Sequence, residues 1–356
     1  MKTINLAIFG IGNVGSTLIN QINALKTRLY KEQNIKIKIP VITNSNLAFY
    51  ANDTEYNWQM DFELFSKPYK IKDVINYFKS ISAENCMAID VTASSEFVEN
   101  YEELIENGFH IISANKVANT LSFEFYERLR KVLKKNNKKF LYETNVGAGL
   151  PVIETVKSLH ESGEDITKIR GVFSGSLSYI FNRFSEEELP FDEILNSAAN
   201  EGLTEPDPRD DLSGKDVARK LLILARELGL KNELHQVKIE SLVPKQLNGK
   251  TTLKQFNERS GELNIVFENS KKVQKPESVL RYIGELDTVN NSLEVKLISE
   301  PKSSVLGQLK GADTLFEFYT ESYNKQPLVI QGAGAGRSVT ARGVLSDILK
   351  LASQLH

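Results

Sequence analysis

Cysteine is almost missing from this sequence. The 356 residues include one cysteine, Cys86, which excludes an intramolecular disulfide and any cysteine-rich metal site. Proteins without disulfides suit a reducing compartment, so we expect this protein to be cytoplasmic.

Long hydrophobic runs and an excess of charge of one sign are also missing. No stretch approaches the roughly 20 apolar residues that span a membrane. The apolar run at residues 4–12 is too short and too glycine-rich for a signal peptide. Because 46 Asp and Glu balance 44 Lys and Arg, we expect no nucleic-acid partner and no membrane partner. Hydrophobic residues still make up 41%, enough for one large or two ordinary domains.

The N-terminal sequence predicts a strand, a glycine turn and a helix, in that order. The apolar residues 4–9 precede the turn, and Leu and Ile recur at helical spacing through residues 16–30. The turn consists of Gly10, Ile11, Gly12, Asn13, Val14 and Gly15. Such glycines let the main chain approach a pyrophosphate, which the free N–H groups of the helix then bind. The pattern predicts a dinucleotide site, with a purely structural tight turn as the alternative.

The end of the second predicted strand bears on which dinucleotide binds. Residues 35–43 are followed by Asn44, Ser45 and Asn46, where an acid would commonly hold the ribose 2′-hydroxyl of NAD. Neutral side chains tolerate a 2′-phosphate better than a carboxylate does. We therefore expect NADP, with NAD as the alternative.

The rest of the N-terminal half repeats the alternation of strand and helix. Strands are predicted at 87–92, 110–114 and 139–144, with helices near 96–107 and 122–137, which is typical of a doubly wound parallel (Rossmann) sheet. Two of these strands end in the polar runs Thr92-Ala93-Ser94-Ser95 and Ser113-Ala114-Asn115-Lys116, where such sheets bind ligands. Lys116 is accordingly a candidate site residue, or else a surface lysine that caps the next turn.

The turn from Glu143 to Val152 breaks this alternation and predicts a hinge between domains. Its glycines could aim successive carbonyl oxygens at a hard cation, or could serve the turn alone. Beyond it, strands predicted at 166–173, 237–242, 279–286 and 293–298 mix with helices irregularly, which indicates an α+β domain. Residues 266–278 are polar and lysine-rich and predict a loop. We expect a nucleotide domain at 1–148, a second domain at 149–328, and a strand, glycine turn and helix at 329–356 that pack back on the first.

The most highly charged segment is 200–220, with six carboxylates and four cations. Pro206 and Pro208 prevent a regular helix through its middle, and Ser213 is placed to cap the helix that follows. Asp216 and Lys220 lie four residues apart on that helix, beside its apolar face. The segment is either a substrate loop or a cluster of solvated charges.

These motifs together resemble the homoserine dehydrogenase family, over essentially the whole chain. The likeness is strongest to the dehydrogenase half of bifunctional aspartokinase–homoserine dehydrogenases, and we expect neither a kinase nor an appended regulatory domain here. The motifs that carry it are the glycine turn and the segments at 113–116, 143–151, 173–182, 202–220 and 332–341.

The resemblance implies NAD(P)-dependent interconversion of L-homoserine and L-aspartate 4-semialdehyde, in threonine and methionine biosynthesis, by a homodimer formed through the second domain. It also implies residue roles. Lys220 would transfer the proton and Lys116 would be a second active-site lysine. Glu205, Asp211 and Asp216 would hold the substrate and order the site. Cofactor contacts would extend to Thr92, Ala93, Lys116, Gly202 and Gly336, and Na⁺ or K⁺ would bind mostly main-chain oxygens of Glu143, Val146, Ala148 and Leu150.

Chemistry argued from the residues agrees with these roles. An amino-acid substrate carries an ammonium group that carboxylates can bind, and an alcohol whose oxidation needs a base. Lysine serves when burial and neighbouring cations favour its neutral form. Two other interpretations of this sequence remain open. One is a dehydrogenase that forms a thioester through Cys86. The other is a dinucleotide-binding regulator without catalysis.

Overall fold

The computed structural model describes residues 1–51, 57–249 and 251–355. The chain forms two compact units, one built from Met1–Gly149 together with the segment that begins at Gly336, and the other from Leu150–Ala335. In the part of the chain that the structure describes, no helix is long and apolar enough to cross a membrane.

The first unit contains a seven-stranded sheet. The strands are β1 Lys2–Phe9, β2 Ile35–Thr43, β3 Leu47–Tyr50, β4 Lys67–Pro68, β5 Cys86–Asp90, β6 His110–Ser113 and β7 Phe140–Leu141, in the order β4-β3-β2-β1-β5-β6-β7. The pairs β2-β1, β1-β5, β5-β6 and β6-β7 are parallel. The pairs β2-β3 and β3-β4 are antiparallel and form one edge of the sheet. The helices are α1 Asn13–Gln33, α2 Trp58–Phe65, α3 Ile71–Ser80, α4 Ser95–Val98, α5 Tyr101–Glu106, α6 Val117–Thr120 and α7 Phe123–Lys135.

The order of the strands places the site of this unit. The chain runs outward from β1 to β2 and then returns to the other side of β1 at β5, so the switch point lies between β1 and β5. Phe9 pairs with Asp90 in register, which sets the glycine turn beside the loop after β5. Ligands bind at this point in doubly wound sheets. The predicted Rossmann class is confirmed, although the strand predicted at 139–144 is limited to Phe140–Leu141 and gives way to a 3₁₀ helix at Glu143–Asn145.

The second unit contains a six-stranded, mostly antiparallel sheet, as the α+β prediction requires. Its strands are β8 Ile166–Val172, β9 Lys238–Ile239, β10 Ser278–Asp287, β11 Ser292–Pro301, β12 Asp313–Thr320 and β13 Leu328–Ala333, in the order β13-β12-β8-β10-β11-β9. Its helices are α8 Val152–Glu161, α9 Gly175–Glu186, α10 Phe191–Asn200, α11 Pro208–Leu212, α12 Lys215–Glu227, α13 Leu253–Glu258 and α14 Glu262–Lys272, with a 3₁₀ helix at Leu234–Gln236.

One sequence prediction for this unit was wrong, and one strand was not predicted. The supposed loop at 266–278 is largely helical, because α14 reaches Lys272 and buries Leu263 and Phe267 on one face. Its polar composition reflects the exposed face of that helix. Strand β12 was not predicted, although its core residues Phe316 and Phe318 are fully buried.

The last helix, α15 Arg337–Gln354, belongs to the first unit. Its residues Val344, Ile348 and Leu351 share a buried cluster with Leu18 and Ile22 of α1. Of the predicted closing segment 329–356, the strand therefore lies in the sheet of the second unit and the helix lies in the first unit.

One buried histidine of the first unit makes its stability depend on pH. Nδ1 of His110 accepts a hydrogen bond of 3.0 Å from the main-chain N–H of Lys139, and burial beside Lys138 and Lys139 lowers the pKa of His110 from 6.5 to about 4. Because only the unfolded chain binds this proton between those values, the stabilisation is complete above pH 6.5 and is lost as the pH falls toward about 4. We expect His110→Gln to flatten the unfolding free energy between these pH values in urea titrations. The exposed His160→Gln is the control, and an equal slope for both variants would contradict the assignment.

Candidate active site

The glycine turn between β1 and α1 is shaped by close contacts of its main chain. Gly10 adopts φ +102°, and its N–H donates to the Thr43 carbonyl oxygen at 2.9 Å. A Cβ at Gly10 would lie 3.1 Å from both Thr92 Cγ2 and the Val91 oxygen, and one at Gly15 would overlap the Gly10 carbonyl oxygen. Two of the three glycines are therefore required by the fold itself.

Gly12 differs, because a Cβ there would have no atom within 4 Å. It is the N-cap of α1, it offers no side-chain cap, and the first turn of the helix carries no acidic residue. The residues beside it, Ile11, Asn13 and Val14, are half-buried or exposed. An open, uncapped helix N-terminus beside a glycine is suited to a pyrophosphate, so the residues fit a dinucleotide.

At the end of β2, Asn44 is engaged in its own turn. Its side-chain oxygen accepts hydrogen bonds from the N–H groups of Asn46 and Leu47 at 2.9 and 2.7 Å. The turn carries no carboxylate. The turn after β2 is therefore uncharged, which is the property on which the expectation of NADP depends.

The remaining cofactor predictions in the first unit lie at strand ends and at a helix start. Thr92 is half-buried, and Ala93, which offers no hydroxyl, is exposed. Lys116 is half-buried and immediately precedes α6. Gly336 starts α15 with φ +117° and no side-chain cap. Their roles toward a cofactor stay predictions.

The turn after β7 contains the predicted cation ligands. Gly147 and Ala148 are consecutive left-handed residues, with φ values of +77° and +53°. The main-chain N–H of Glu143 donates to Asp347 Oδ2 at 3.0 Å. Glu143, Val146 and Ala148 belong to the first unit, and Leu150 begins the second. Among the described residues, no three His, Cys, Asp or Glu side chains form a metal cluster, so a cation here would depend on main-chain oxygens.

Lys220 is the predicted proton-transfer residue, and it lies in the second unit. It lies on α12, is only 8% exposed, and donates from Nζ to the Phe173 carbonyl oxygen at 2.8 Å. Asp216, one turn earlier, holds the same Nζ at 2.8 Å through Oδ2. An ammonium has three N–H donors, and these two contacts use two of them.

The start of α12 corrects a sequence prediction. Its N-cap is Gly214, with φ +72°, whereas Ser213 ends the short helix α11, which Pro208 begins. A side chain at Gly214 would overlap the Tyr282 hydroxyl, which donates to the Glu240 carbonyl oxygen at 2.6 Å. Position 214 therefore requires glycine, because its backbone is left-handed and because a side chain would have no space.

We expect Gly214→Ala to lower the free energy of unfolding by about 2 kcal/mol, because a strained backbone adds to the clash with Tyr282. Gly229→Ala is the matched control. Gly229 also has positive φ, +76°, but a Cβ there would meet nothing within 4 Å. Urea denaturation of both variants tests this, and equal losses of stability would exclude the role of Tyr282.

Asp211 organises the loop before α12. Its Oδ1 accepts a hydrogen bond of 2.6 Å from the Ser176 hydroxyl, and its Oδ2 accepts one of 2.8 Å from the N–H of Glu205. Burial raises the pKa of the Asp211 carboxyl, although both hydrogen bonds oppose this shift. Asp211 thereby fixes the main chain of the predicted substrate residue Glu205, whose side chain is exposed, as is Gly202.

Ser176, which the sequence pattern did not single out, holds the predicted site residue Asp211. Its hydroxyl lies 2.8 Å from that of Ser174, which caps α9 at the N–H of Leu177. The motif at 173–182 contained the signal, since two serines flank a glycine at a helix start.

Part of the charged segment has a structural task. Asp207 caps α11 and forms an ion pair with Arg209. Arg209 also donates to the Thr251 carbonyl oxygen at 2.8 Å. The side chains of Asp207 and Arg209 thus stabilise the conformation of the loop. Two other charged residues of the segment, Asp210 and Lys215, are exposed.

Cys86 does not suit the thioester alternative. It begins β5, at the opposite end of that strand from the loop at 91–94, and it is buried. Burial raises the pKa of its thiol to about 11, so it carries little of the thiolate that a nucleophile needs.

Comparisons with known proteins agree with this geometry. A homoserine dehydrogenase family model matches residues 151–349, and the model of the homoserine dehydrogenase NAD binding domain matches residues 10–143. The fold and the glycine turn define a protein with a Rossmann dinucleotide-binding unit. The chain belongs to the homoserine dehydrogenase family.

Individual relatives cover the chain from end to end. The bifunctional aspartokinase/homoserine dehydrogenase of Buchnera aphidicola (subsp. Acyrthosiphon pisum) is 41% identical over 99% of this chain and 43% of its own length. The chain thus spans about two fifths of the curated relatives it matches. A Candida auris protein of unknown function is 32% identical, with a TM-score of 0.90 and 99% of both chains covered. A hyperthermophilic archaeal homoserine dehydrogenase in complex with NADPH shares the fold alone, at 20% identity, a TM-score of 0.74 and 99% of both chains covered.

Proposed function

We propose that the protein interconverts L-homoserine and L-aspartate 4-semialdehyde with a nicotinamide cofactor, in threonine and methionine biosynthesis in the cytoplasm. The observation that carries the proposal is the buried Lys220, held at 2.8 Å by both Phe173 and Asp216. Family membership supports it. The reaction needs one proton transfer at a substrate oxygen, and Lys220 has a free N–H for that atom.

Each group of residues has a separate task in this reaction. The cofactor supplies hydride transfer at the substrate carbon. Lys220 donates a proton to the carbonyl oxygen during reduction and accepts it from the hydroxyl during oxidation, while Asp216 orients the amine. Glu205 binds the substrate ammonium, and Asp211 holds Glu205 in place. Lys116 is a second active-site lysine.

NADP is the cofactor that we infer, bound by the glycine turn, Thr92, Ala93, Lys116, Gly202 and Gly336. The absence of a carboxylate in the turn after β2 supports NADP over NAD, and so does the NADPH complex of the archaeal structural neighbour.

We assign residues 1–148 to dinucleotide binding and 149–328 to substrate binding, catalysis and dimerisation. Of the segment 329–356, the helix closes the first domain, whereas the strand belongs to the sheet of the second unit. A homodimer is proposed, which light scattering after gel filtration tests. We also propose that Na⁺ or K⁺ binds main-chain oxygens of the turn that contains Glu143, Val146 and Ala148. Replacing both ions by tetramethylammonium would then lower the rate.

The decisive experiment adds aspartate semialdehyde to the protein with NADPH or NADH and follows the loss of absorbance of each. We expect consumption of NADPH to exceed that of NADH. A protein that binds NADPH yet consumes neither cofactor would instead be the noncatalytic regulator.

A further inference from the structure

A carboxylate is buried in the middle of the first unit, where the mechanism above assigns it no task. Asp90 ends β5, is 0% exposed, and pairs in register with Phe9 of β1 and Ser113 of β6. Within residues 1–51, 57–249 and 251–355, no Lys, Arg or His forms an ion pair with it. A buried charge without a cation is costly unless hydrogen bonds satisfy it.

Neutral donors satisfy Asp90 instead. Oδ1 accepts from the main-chain N–H of Thr92 at 2.8 Å. Oδ2 accepts from the Tyr101 hydroxyl at 2.6 Å and from Asn115 Nδ2 at 3.0 Å. Burial raises the pKa of the carboxyl, and these hydrogen bonds oppose the shift.

Two of these three donors belong to the loops that carry predicted cofactor contacts, and the third, Tyr101, begins α5. Thr92 lies in the loop after β5, and Asn115 immediately precedes Lys116 after β6. Asn115 also donates to the Ser94 carbonyl oxygen at 2.8 Å and accepts from the N–H of Val117 at 3.1 Å. The main chain that follows Lys116 is thus held, and tied to the loop at 91–94, by one side chain that Asp90 orients.

The same network extends to the next strand end. The Tyr101 hydroxyl lies 2.9 Å from Ser113 Oγ, and the Ser113 carbonyl oxygen accepts from Asn145 Nδ2 at 2.8 Å. Asn145 lies in the 3₁₀ helix at the start of the proposed cation turn. The loops after three adjacent strands are therefore joined in one hydrogen-bond network that contains the Asp90 carboxylate.

We propose that Asp90 is a positioning residue for catalysis: by joining the loops at 91–94 and 114–116, it fixes Thr92 and Lys116 against the cofactor. The proposal rests on the proposed function. Because Asp90 is fully buried, it acts through Asn115 and the main chain of Thr92.

Three variants of the full chain test this. Asp90→Asn keeps the shape but brings an NH₂ group against N–H and O–H donors. Tyr101→Phe removes one donor and keeps the carboxylate. Tyr77→Phe is the matched control, since its hydroxyl donates at 2.8 Å to the Ala51 carbonyl oxygen in the same unit, outside the network.

We expect Asp90→Asn to lower kcat about tenfold or more, because small displacements of positioning groups have large kinetic effects. KM for aspartate semialdehyde should stay within about threefold, and Kd for NADPH should rise about fivefold. Tyr101→Phe should show the same pattern with smaller changes, and Tyr77→Phe should match the wild type. Active-site titration with NADPH normalises each rate to folded protein.

A purely structural role would reduce only the folded fraction. Wild-type kcat and wild-type Kd for NADPH in folded Asp90→Asn would overturn the proposal. If Asp90→Asn does not fold, the same two constants for Tyr101→Phe decide it. If the wild type has no dehydrogenase activity, the proposed function fails, and the Kd for NADPH by fluorescence still tests Asp90.

Discussion

Lys220→Ala is expected to lower kcat for aspartate semialdehyde reduction about 10³-fold while leaving the Kd for NADPH within about twofold of wild type. The substitution removes the ammonium that we propose protonates the substrate oxygen. Asp216 has 45% of its side chain exposed, so water can satisfy it once Lys220 is gone. Stopped-flow reduction at saturating NADPH and fluorescence titration of NADPH measure the two quantities.

Lys215→Ala is the matched control for this experiment. Lys215 is an exposed lysine at the first position of the same helix. It should keep wild-type kcat, because it lies in none of the contacts around Phe173, Asp211 and Asp216. Substantial turnover by Lys220→Ala would remove the proton-transfer role and direct attention to Lys116.

Gly15→Ala is expected to lower the free energy of unfolding by about 3 kcal/mol, because its methyl group would overlap the Gly10 carbonyl oxygen. That oxygen belongs to the main chain between β1 and α1 and cannot move away as a side chain could. Urea denaturation followed by circular dichroism gives the measurement.

The variant Gly12→Ala distinguishes an effect on the stability of the fold from an effect on cofactor binding. Its φ of −66° suits alanine, and no atom lies within 4 Å of the added methyl group. Stability should therefore stay within about 0.5 kcal/mol of wild type. The Kd for NADPH should nevertheless rise about tenfold or more, because the methyl group would occupy the space that the pyrophosphate needs. An unchanged Kd would show that the cofactor does not approach Gly12.

Local pattern predicted the first unit well because its strands are buried on both faces and punctuated by glycine. The apolar residues of β1 and the spacing of Leu18 and Ile22 on α1 need no distant partner to be recognised. The second unit was harder, because an antiparallel sheet depends on pairings between distant segments. Strand β12 pairs with β8 about 150 residues earlier, as in the contact of Phe316 with Gly171, and no local signal indicates that register.

The charged segment at 200–220 shows the same difference between what local pattern predicts and what distant contacts decide. Its composition and prolines indicated a rigid polar loop, and helical spacing placed Asp216 beside Lys220. Spacing could not assign tasks to the other charges. The ion pair of Asp207 with Arg209 arises within the folded loop. The hydrogen bond that Asp211 accepts from Ser176 comes from a helix residue 35 positions earlier in the chain.

The sequence by itself determined the class of this protein: a glycine turn between strand and helix, and a lysine four residues after an aspartate, are local features that one stretch of chain contains. Only the tertiary structure decided that Gly214 caps α12, that Phe173 holds Lys220, and that Asp90 joins the loops of Thr92 and Asn115. Those contacts link residues far apart in the chain. They depend on distances and burial, which no periodicity encodes.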